Sequence, residues 1–510
     1  MIIIWLILIL MIAGITVIFT DKINPVLSRW ISLLALSIDF VIILGLWISS
    51  PQGFVINSSK NWLASFQSEW IPQFGISLNF AMDGLSLILI ILTLFLGILS
   101  VLTSWEEIKD KVGFFHFNLL WILAGIIGVF TALDLFLFYC FWEVMLIPMY
   151  FLIGIWGHEQ RLYAAYKFFI FTQASGLLML LAILGLYFIH GGQTGTYTFN
   201  YFELLGTDIP SGSALLLMLG FLIAFAVKLP VVPVHSWLPD AHTQAPTAGS
   251  VILAGLLLKT GAYGLLRFVI PLFPDAAQQF APYAMALGVI GILYGAKLAF
   301  AQTDFKRLVA YSSVSHMGFV ILGVFAFNEL AYQGVIMQML THGISTGALF
   351  IIVGLLSERI HTRELGDMGG LWEQVPKMGG IAMVFVMASL GLPGLGNFIA
   401  EFLVLAGSYQ ASILWTVLAS LGLVAASVYS LRIMQKVWHG SKQKEHDIKD
   451  FVPRELVVMG SLIIIIIWLG LYPQKIISTV KPYVDKLTLM VTPDNVTNSI
   501  SFTEKEVNND

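Results

Sequence analysis

Long apolar runs recur along the whole chain, and they decide what it can fold into. About 14 of them are long enough to cross a bilayer, whose hydrocarbon core takes about 20 helical residues. The connections are short except for 50–82 and 190–212. Because 58% of the residues are hydrophobic and 11% charged, we expect an all-α polytopic membrane protein. The predicted span cores are 2–19, 31–49, 84–103, 114–130, 134–155, 166–190, 213–229, 247–270, 281–300, 308–327, 331–355, 378–408, 412–436 and 455–472.

Lysine and arginine residues are concentrated in alternate loops. The loop 50–82 carries only Lys60, and 190–212 carries none. By the positive-inside rule, both termini are predicted to face the periplasm or its equivalent. The first run lacks a basic n-region and a small-residue cleavage site, so we expect it to be retained as a span. The tail after about residue 490 is polar and predicted to be frayed.

Four charged side chains stand alone inside apolar runs: Lys228, Lys259, Glu143 and Glu401. A charge at the bilayer centre costs about 2.5–3.5 kcal/mol on insertion scales, so four cost roughly 10 kcal/mol. Packing alone does not explain such a cost. Charged groups within a bundle typically pair with one another and mark an ion or proton path. We therefore predict that these four residues carry proton translocation.

Two of the runs are interrupted beside these charges. Leu-Pro-Val-Val-Pro follows Lys228, and a glycine- and proline-rich stretch at 391–396 precedes Glu401. Proline and glycine open gaps in a helix, and unwound backbone survives in a membrane only where it is buried in protein or lines a wet cavity. Inverted-repeat transporters carry such breaks at corresponding positions. The sequence thus predicts two inverted five-helix repeats with discontinuous helices 7 and 12.

The predicted organisation has four parts. They are 1–110 with helices 1–3, 111–272 as the first repeat with helices 4–8, 273–440 as the second repeat with helices 9–13, and 441–510 with the last helix and the polar tail.

Four histidines accompany the isolated charges. His235 and His242 flank the first break, and His316 and His342 lie in later runs. Histidine titrates nearest to neutral pH, so these side chains are candidates for a proton relay. Each one alone is more often a satisfied core residue. A haem bound between two histidines is an alternative, but it does not explain the buried lysines and glutamates. A second alternative is that Glu143 and Lys228 form a fixed ion pair that only tethers two helices.

Other chemistries find no support in the sequence. The single cysteine, Cys140, excludes a disulfide framework and a cysteine-ligated iron–sulfur cluster. No basic stripe or zinc spacing suggests a nucleic-acid partner, and no phosphate-binding glycine motif suggests a nucleotide. We predict no cofactor and no metal in this chain, so the energy for transport must come from a partner chain or an ion gradient.

Three segments carry a specific resemblance: 233–264 around PVHSWLPDAHTQAPTAGS and Lys259, 302–318 around YSSVSHMG, and 392–402 around LPGLGNFIAEF. They resemble the antiporter-like subunits of respiratory complex I, the NADH–quinone oxidoreductase. The resemblance covers essentially the whole chain and is strongest over about 75–440.

The resemblance implies roles for particular residues. Glu143 and Lys228 match the coupled glutamate and lysine of the fifth and seventh helices, Lys259 the lysine of the eighth, and Glu401 the carboxylate of the twelfth. In the implied mechanism, a charge arriving from a neighbour loosens the Glu143–Lys228 pair. A proton then passes through Lys259 and the histidines to Glu401.

The resemblance also implies partners: other complex I membrane subunits, including the antiporter-like subunits L and N. NADH, flavin, iron–sulfur clusters and quinone would belong to partner subunits. A cation/proton antiporter of the Mrp type is an alternative, and a structural spacer is a third reading. The resemblance implies lysine in subunit L and in the Mrp antiporters where this chain has Glu401, which argues against the antiporter. No long lateral C-terminal helix is expected, because only about 38 residues follow the last span.

Overall fold

A computed structural model describes residues 1–49, 62–441 and 448–491. Lys60 and the polar tail lie outside these residues. The membrane-length helices other than helices 7 and 12 pack as one bundle around a shared apolar core. They are α1 (Ile2–Asp21), α2 (Pro25–Ser49), α3 (Gly84–Glu107), α4 (Val112–Thr131), α5 (Leu135–Trp156), α6 (Arg161–Thr194), α8 (Thr247–Leu272), α9 (Pro274–Ala301), α10 (Phe305–Val324), α11 (Glu329–Ile360), α13 (Ile413–Trp438) and α14 (Pro453–Leu471).

Helices 7 and 12 are discontinuous, as predicted. Helix α7 consists of α7a (Ser211–Lys228) and α7b (Trp237–Gln244), and α12 of α12a (Pro376–Ser389) and α12b (Gly396–Ala411). Thirteen helices of the described residues are long and apolar enough to cross a membrane, and the halves of α12 supply the fourteenth predicted span. The expected all-α polytopic architecture is confirmed.

Two elements outside the spans were not predicted. The loop 50–82 contains an antiparallel hairpin of β1 (Ala64–Ile71) and β2 (Ile76–Met82). Its turn needs glycine at Gly75, where φ is +66° and a Cβ would lie 2.0 Å from the Tyr197 carbonyl oxygen. After the last span, the 18-residue helix α15 (Gln474–Val491) packs against α3 and α11.

The second helix of each predicted repeat begins at an aspartate cap. The Asp134 side chain accepts hydrogen bonds of 3.0 Å from the Phe136 and Leu137 N–H groups at the start of α5. The Asp304 side chain accepts a 2.9 Å bond from the Arg307 N–H at the start of α10. Both carboxylates satisfy amide groups that a helix N-terminus leaves free.

The same two-bond backbone brace accompanies each cap. It ties the start of the second helix to the strand-like segment that follows the third helix. Five crossing elements, α5 to α9, lie between the start of α5 and the start of α10. The two braces are therefore at opposite ends of the bundle. This correspondence supports the proposed division into inverted repeats 111–272 and 273–440. The bonds run from Leu135 N–H to Phe199 O and from Tyr201 N–H to Leu133 O, and from Phe305 N–H to Arg363 O and from Leu365 N–H to Thr303 O.

The two caps should differ in their contribution to stability. Replacing either aspartate by alanine removes a helix cap, at about 1 kcal/mol. Asp134→Ala also leaves the half-buried Ser77 N–H and hydroxyl without their acceptor, an added cost of about 1 kcal/mol. Thermal unfolding of the purified complex should therefore show a larger fall in Tm for Asp134→Ala than for Asp304→Ala. Equal falls in Tm for the two variants would contradict the added contribution of the Asp134–Ser77 hydrogen bonds.

Candidate functional site

Lys259 sits in a helix with altered hydrogen bonding. The segments Leu253–Leu257 and Leu265–Val269 of α8 are π-helical and flank the lysine on both sides. Such widened turns release carbonyl groups from the regular pattern and occur often at functional sites. The Lys259 Nζ donates to the Ala254 carbonyl oxygen at 2.5 Å, and the side chain is buried. The lysine head group is thus held by its own helix.

His342 of α11 is the second partner of Lys259. Its Nδ1 lies 2.8 Å from Nζ. The close approach of the two helices depends on glycine, because a Cβ on Gly343 would lie 2.9 Å from the Gly255 carbonyl oxygen. Two facing glycines therefore bring a buried lysine and a buried histidine within hydrogen-bond distance.

A second buried pair, His316 and Glu401, lies next to His342. His316 of α10 lies with its ring centroid 5.7 Å from that of His342, and its Nδ1 is 2.8 Å from Glu401 Oε1. The Gln338 side chain also reaches Glu401 Oε1, at 3.4 Å. The structure thus brings four predicted residues together, from Lys259 on α8 to Glu401 on α12b.

Lys228 and Glu143 are neighbours without a direct bond. The Lys228 Nζ lies 5.0 Å from the centre of the Trp142 ring and 5.6 Å from that of Phe168, a cation–π arrangement. Among the described residues, neither this Nζ nor Glu143 Oε1 has a hydrogen-bond partner. No ion pair within 4.0 Å joins the two side chains, although their charges interact through space.

The burial of Glu143 also differs from the expectation that it is enclosed within the bundle. Its side chain is half-buried, whereas Lys228 and Glu401 are buried. The large ring of the preceding residue, Trp142, fills the space beside the ammonium group.

His235 and His242 are not hydrogen-bonded to this line. His242 of α7b is buried with its ring stacked on Phe350 at 4.4 Å, and neither ring nitrogen has a partner among the described residues. His235 lies within the break of α7, with its ring 5.7 Å from that of Tyr294. Of the four predicted relay histidines, the structure connects two.

Several polar groups escaped the sequence reasoning. Tyr429 of α13 and Ser389 at the end of α12a both contact His316 Nε2, at 3.1 Å and 3.2 Å. Arg267 and Asp83 form a buried ion pair at 2.5 Å. No spacing or composition distinguishes the two hydroxyls from other polar residues of apolar helices. The pair was missed because Arg267 lies near the predicted end of its span, and Asp83 just before another.

The chain matches a known family model and closely similar curated proteins. The family model described as "NADH:quinone oxidoreductase/Mrp antiporter, TM" matches residues 132–427. The NADH-quinone oxidoreductase subunit M of Pseudomonas aeruginosa is 54% identical, over 94% of this chain and 95% of that protein. The subunit M of Escherichia coli strain K12 is 53% identical, over 93% of this chain and 95% of that protein.

Solved structures show the same fold. A chain of respiratory complex I from Thermus thermophilus superposes with a TM-score of 0.86 at 30% identity, covering 96% of this chain and all of that one. A chain of the Mrp complex from Dietzia has a TM-score of 0.82 at 19% identity, over 96% of this chain and 99% of that one. The latter likeness concerns the fold alone. By its sequence match over more than half its length and its identity to curated relatives, the chain belongs to the NADH:quinone oxidoreductase/Mrp antiporter transmembrane family.

Proposed function

We propose that this chain is the proton-translocating subunit M of the membrane arm of a NADH–quinone oxidoreductase. Relatives more than half identical over nearly the whole chain carry that name. The observation that carries the mechanism is the buried line of Lys259, His342, His316 and Glu401. It places proton-binding atoms of four side chains in succession across the bundle.

The line suits proton transfer at defined atoms. A charged Lys259 gives a proton from Nζ to Nδ1 of His342, which leaves a neutral amine held by the Ala254 carbonyl. The 2.8 Å contact couples His316 to Glu401, so the protonation of one group changes how firmly the other holds its proton. Between the two histidine rings, 5.7 Å apart, transfer needs a bridging water or a ring movement.

The remaining predicted residues are proposed to act before Lys259 in proton transfer. Lys228 and Glu143 interact through space, so a charge change near Glu143 alters how firmly Lys228 holds its proton. His235 lies in the break of α7 and His242 in α7b, both between Lys228 and Lys259 in sequence. Glu143, Lys228, Lys259 and Glu401 are proposed as translocation residues, and the four histidines as relay groups.

The redox chemistry is proposed to belong to partner subunits. NADH oxidation, flavin, iron–sulfur clusters and quinone reduction are assigned to other subunits of the complex. Two edges of the chain suit contact with the neighbouring antiporter-like subunits L and N. These are the half-buried Glu143 and the break of α12, where Leu392 is 43% exposed. We place the chain in a bacterial inner membrane with both termini periplasmic.

An Mrp-type cation/proton antiporter is the second candidate, favoured by the shared fold. Glu401, hydrogen-bonded to His316, argues against it, since the antiporters resemble subunit L in carrying lysine at this position. The two candidates differ in their energy source. NADH oxidation drives the first, and an ion gradient drives the second.

The direct test is proton pumping by inverted vesicles that contain the assembled complex. Lys228→Ala should lower NADH-driven acidification at least about tenfold, because the coupled ammonium is gone. NADH oxidation with an artificial acceptor should stay normal, which reports assembly of the redox arm. Normal pumping in Lys228→Ala and in Glu143→Ala would favour a structural spacer. Sodium-dependent transport without NADH would favour the antiporter.

A further inference from the structure

Both ring nitrogens of His316 have hydrogen-bond partners, unlike those of the other buried histidines among the described residues. Nδ1 faces Glu401 Oε1 at 2.8 Å, while Nε2 faces two hydroxyl groups, Tyr429 at 3.1 Å and Ser389 at 3.2 Å. All four side chains are buried, and Tyr429 is 0% exposed. Both ring nitrogens therefore have polar partners, but of different kinds.

The two kinds of partner decide which nitrogen carries the proton of neutral His316. An ionised carboxylate only accepts hydrogen bonds, whereas a hydroxyl can donate. With the Tyr429 or Ser389 hydroxyl donating to Nε2, the ring proton sits on Nδ1 and is donated to Glu401. A histidine tautomer is commonly set by the hydrogen bond at its other nitrogen.

This arrangement distinguishes the two oxygens of Glu401. Oε1 already accepts the His316 Nδ1–H, so a proton added there would face another proton. Oε2 has no partner among the described residues. It lies 3.3 Å from the place that a Cβ on Gly391 would occupy, so it faces the break of α12. Oε2 is thus the open position.

We propose that Tyr429 and Ser389 are positioning residues that fix His316 with its proton on Nδ1, and that the transported proton of Glu401 is therefore bound at Oε2, beside the helix break. The inference rests on the proposed proton translocation and adds to it the atom that is protonated. The surrounding titratable groups are Tyr429 on α13 and His342 on α11, with Lys259 of α8 beyond His342.

The test removes the two hydroxyls separately and together, with NADH-driven pumping in inverted vesicles as the readout. Tyr429→Phe and Ser389→Ala should each change pumping by no more than about twofold, because the other hydroxyl still donates to Nε2. The double variant should lose about 10–100-fold, the range seen when the groups that orient metal-binding histidines are removed.

The pH dependence of pumping should also move in the double variant. Without a donor at Nε2, the His316 proton can occupy that nitrogen, and Nδ1 then accepts a hydrogen bond from protonated Glu401. Glu401 would keep its proton to higher pH, so the pumping profile should shift towards higher pH. A purely structural role of the two hydroxyls would lower pumping without moving the profile.

Matched variants separate this effect from damage to the fold. Tyr332 is also fully buried, but its hydroxyl has no partner among the described residues, so Tyr332→Phe should pump normally. Tyr429→Phe with Ser389→Thr keeps one hydroxyl and should behave like Tyr429→Phe alone. The inference is overturned if the double variant matches Tyr332→Phe in rate and profile while Glu401→Gln does not pump. Normal pumping by Glu401→Gln would instead overturn the proposed function.

Discussion

Replacing Lys259 by methionine should reduce NADH-driven proton pumping to background while the complex still assembles. Methionine approximates the length of the lysine stem, so the packing around the π-helical turns of α8 is kept. What is lost is the ammonium that contacts both the Ala254 carbonyl oxygen and His342 Nδ1. The line of proton-binding groups then begins only at His342. Acidification of inverted vesicles on addition of NADH measures the effect.

Lys297 supplies the control for this experiment. It also lies in a membrane-length helix, α9, but it is exposed at the surface of the chain. Lys297→Met removes the same charge from the protein and should leave pumping near the wild-type rate. Pumping by Lys259→Met at the rate of Lys297→Met would show that the line through Lys259 does not carry the protons.

Replacing Arg267 by methionine should destabilise the subunit severely. Arg267 is 3% exposed and pairs with Asp83 at 2.5 Å, while its guanidinium carbon lies 4.4 Å from the centre of the Tyr483 ring of α15. Removing one partner of a buried ion pair leaves an uncompensated charge and costs about 3–5 kcal/mol. The amount of assembled complex on native gels, and its Tm, should both fall sharply.

A double substitution tests whether the stranded charge is the cause. Asp83→Asn removes the negative charge but keeps a side-chain oxygen for the 3.0 Å bond from the Ser86 N–H that caps α3. Arg267→Met combined with Asp83→Asn should therefore be more stable than Arg267→Met alone. A further loss in the double variant would mean that contacts with Tyr483 and its neighbours, rather than the charge, hold this region together.

The membrane architecture could be predicted from the sequence because its determinants are local. Length and apolarity define a span, and proline or glycine beside Lys228 and Glu401 defines a break. The β-hairpin was missed because its strands lie in a connection between two predicted spans and lack a strong apolar pattern. The two matching backbone braces, by contrast, depend on contacts between segments more than fifty residues apart.

The site was only partly predictable. Lone charges in apolar runs identified Lys259 and Glu401, because burying them is costly wherever they pack. Their partners depend on which helix faces which, as in the glycine contact that brings His342 to Lys259. For the same reason, no sequence pattern showed that an indole ring, rather than the Glu143 carboxylate, lies against the Lys228 ammonium.

The exposed break of α12 has a practical consequence for handling the protein. Leu392 and Pro393 sit at the surface of the chain, within an element that is unwound between Ser389 and Gly396. The N–H groups of Leu390, Gly391, Leu392 and Leu395 bond to nearby backbone carbonyls, but hydrocarbon cannot satisfy the backbone groups that these turns leave open. Expressed without companions, the polypeptide should aggregate or be degraded in the cell. Co-expression with the adjoining subunits is therefore the route to a preparation that is monodisperse in detergent.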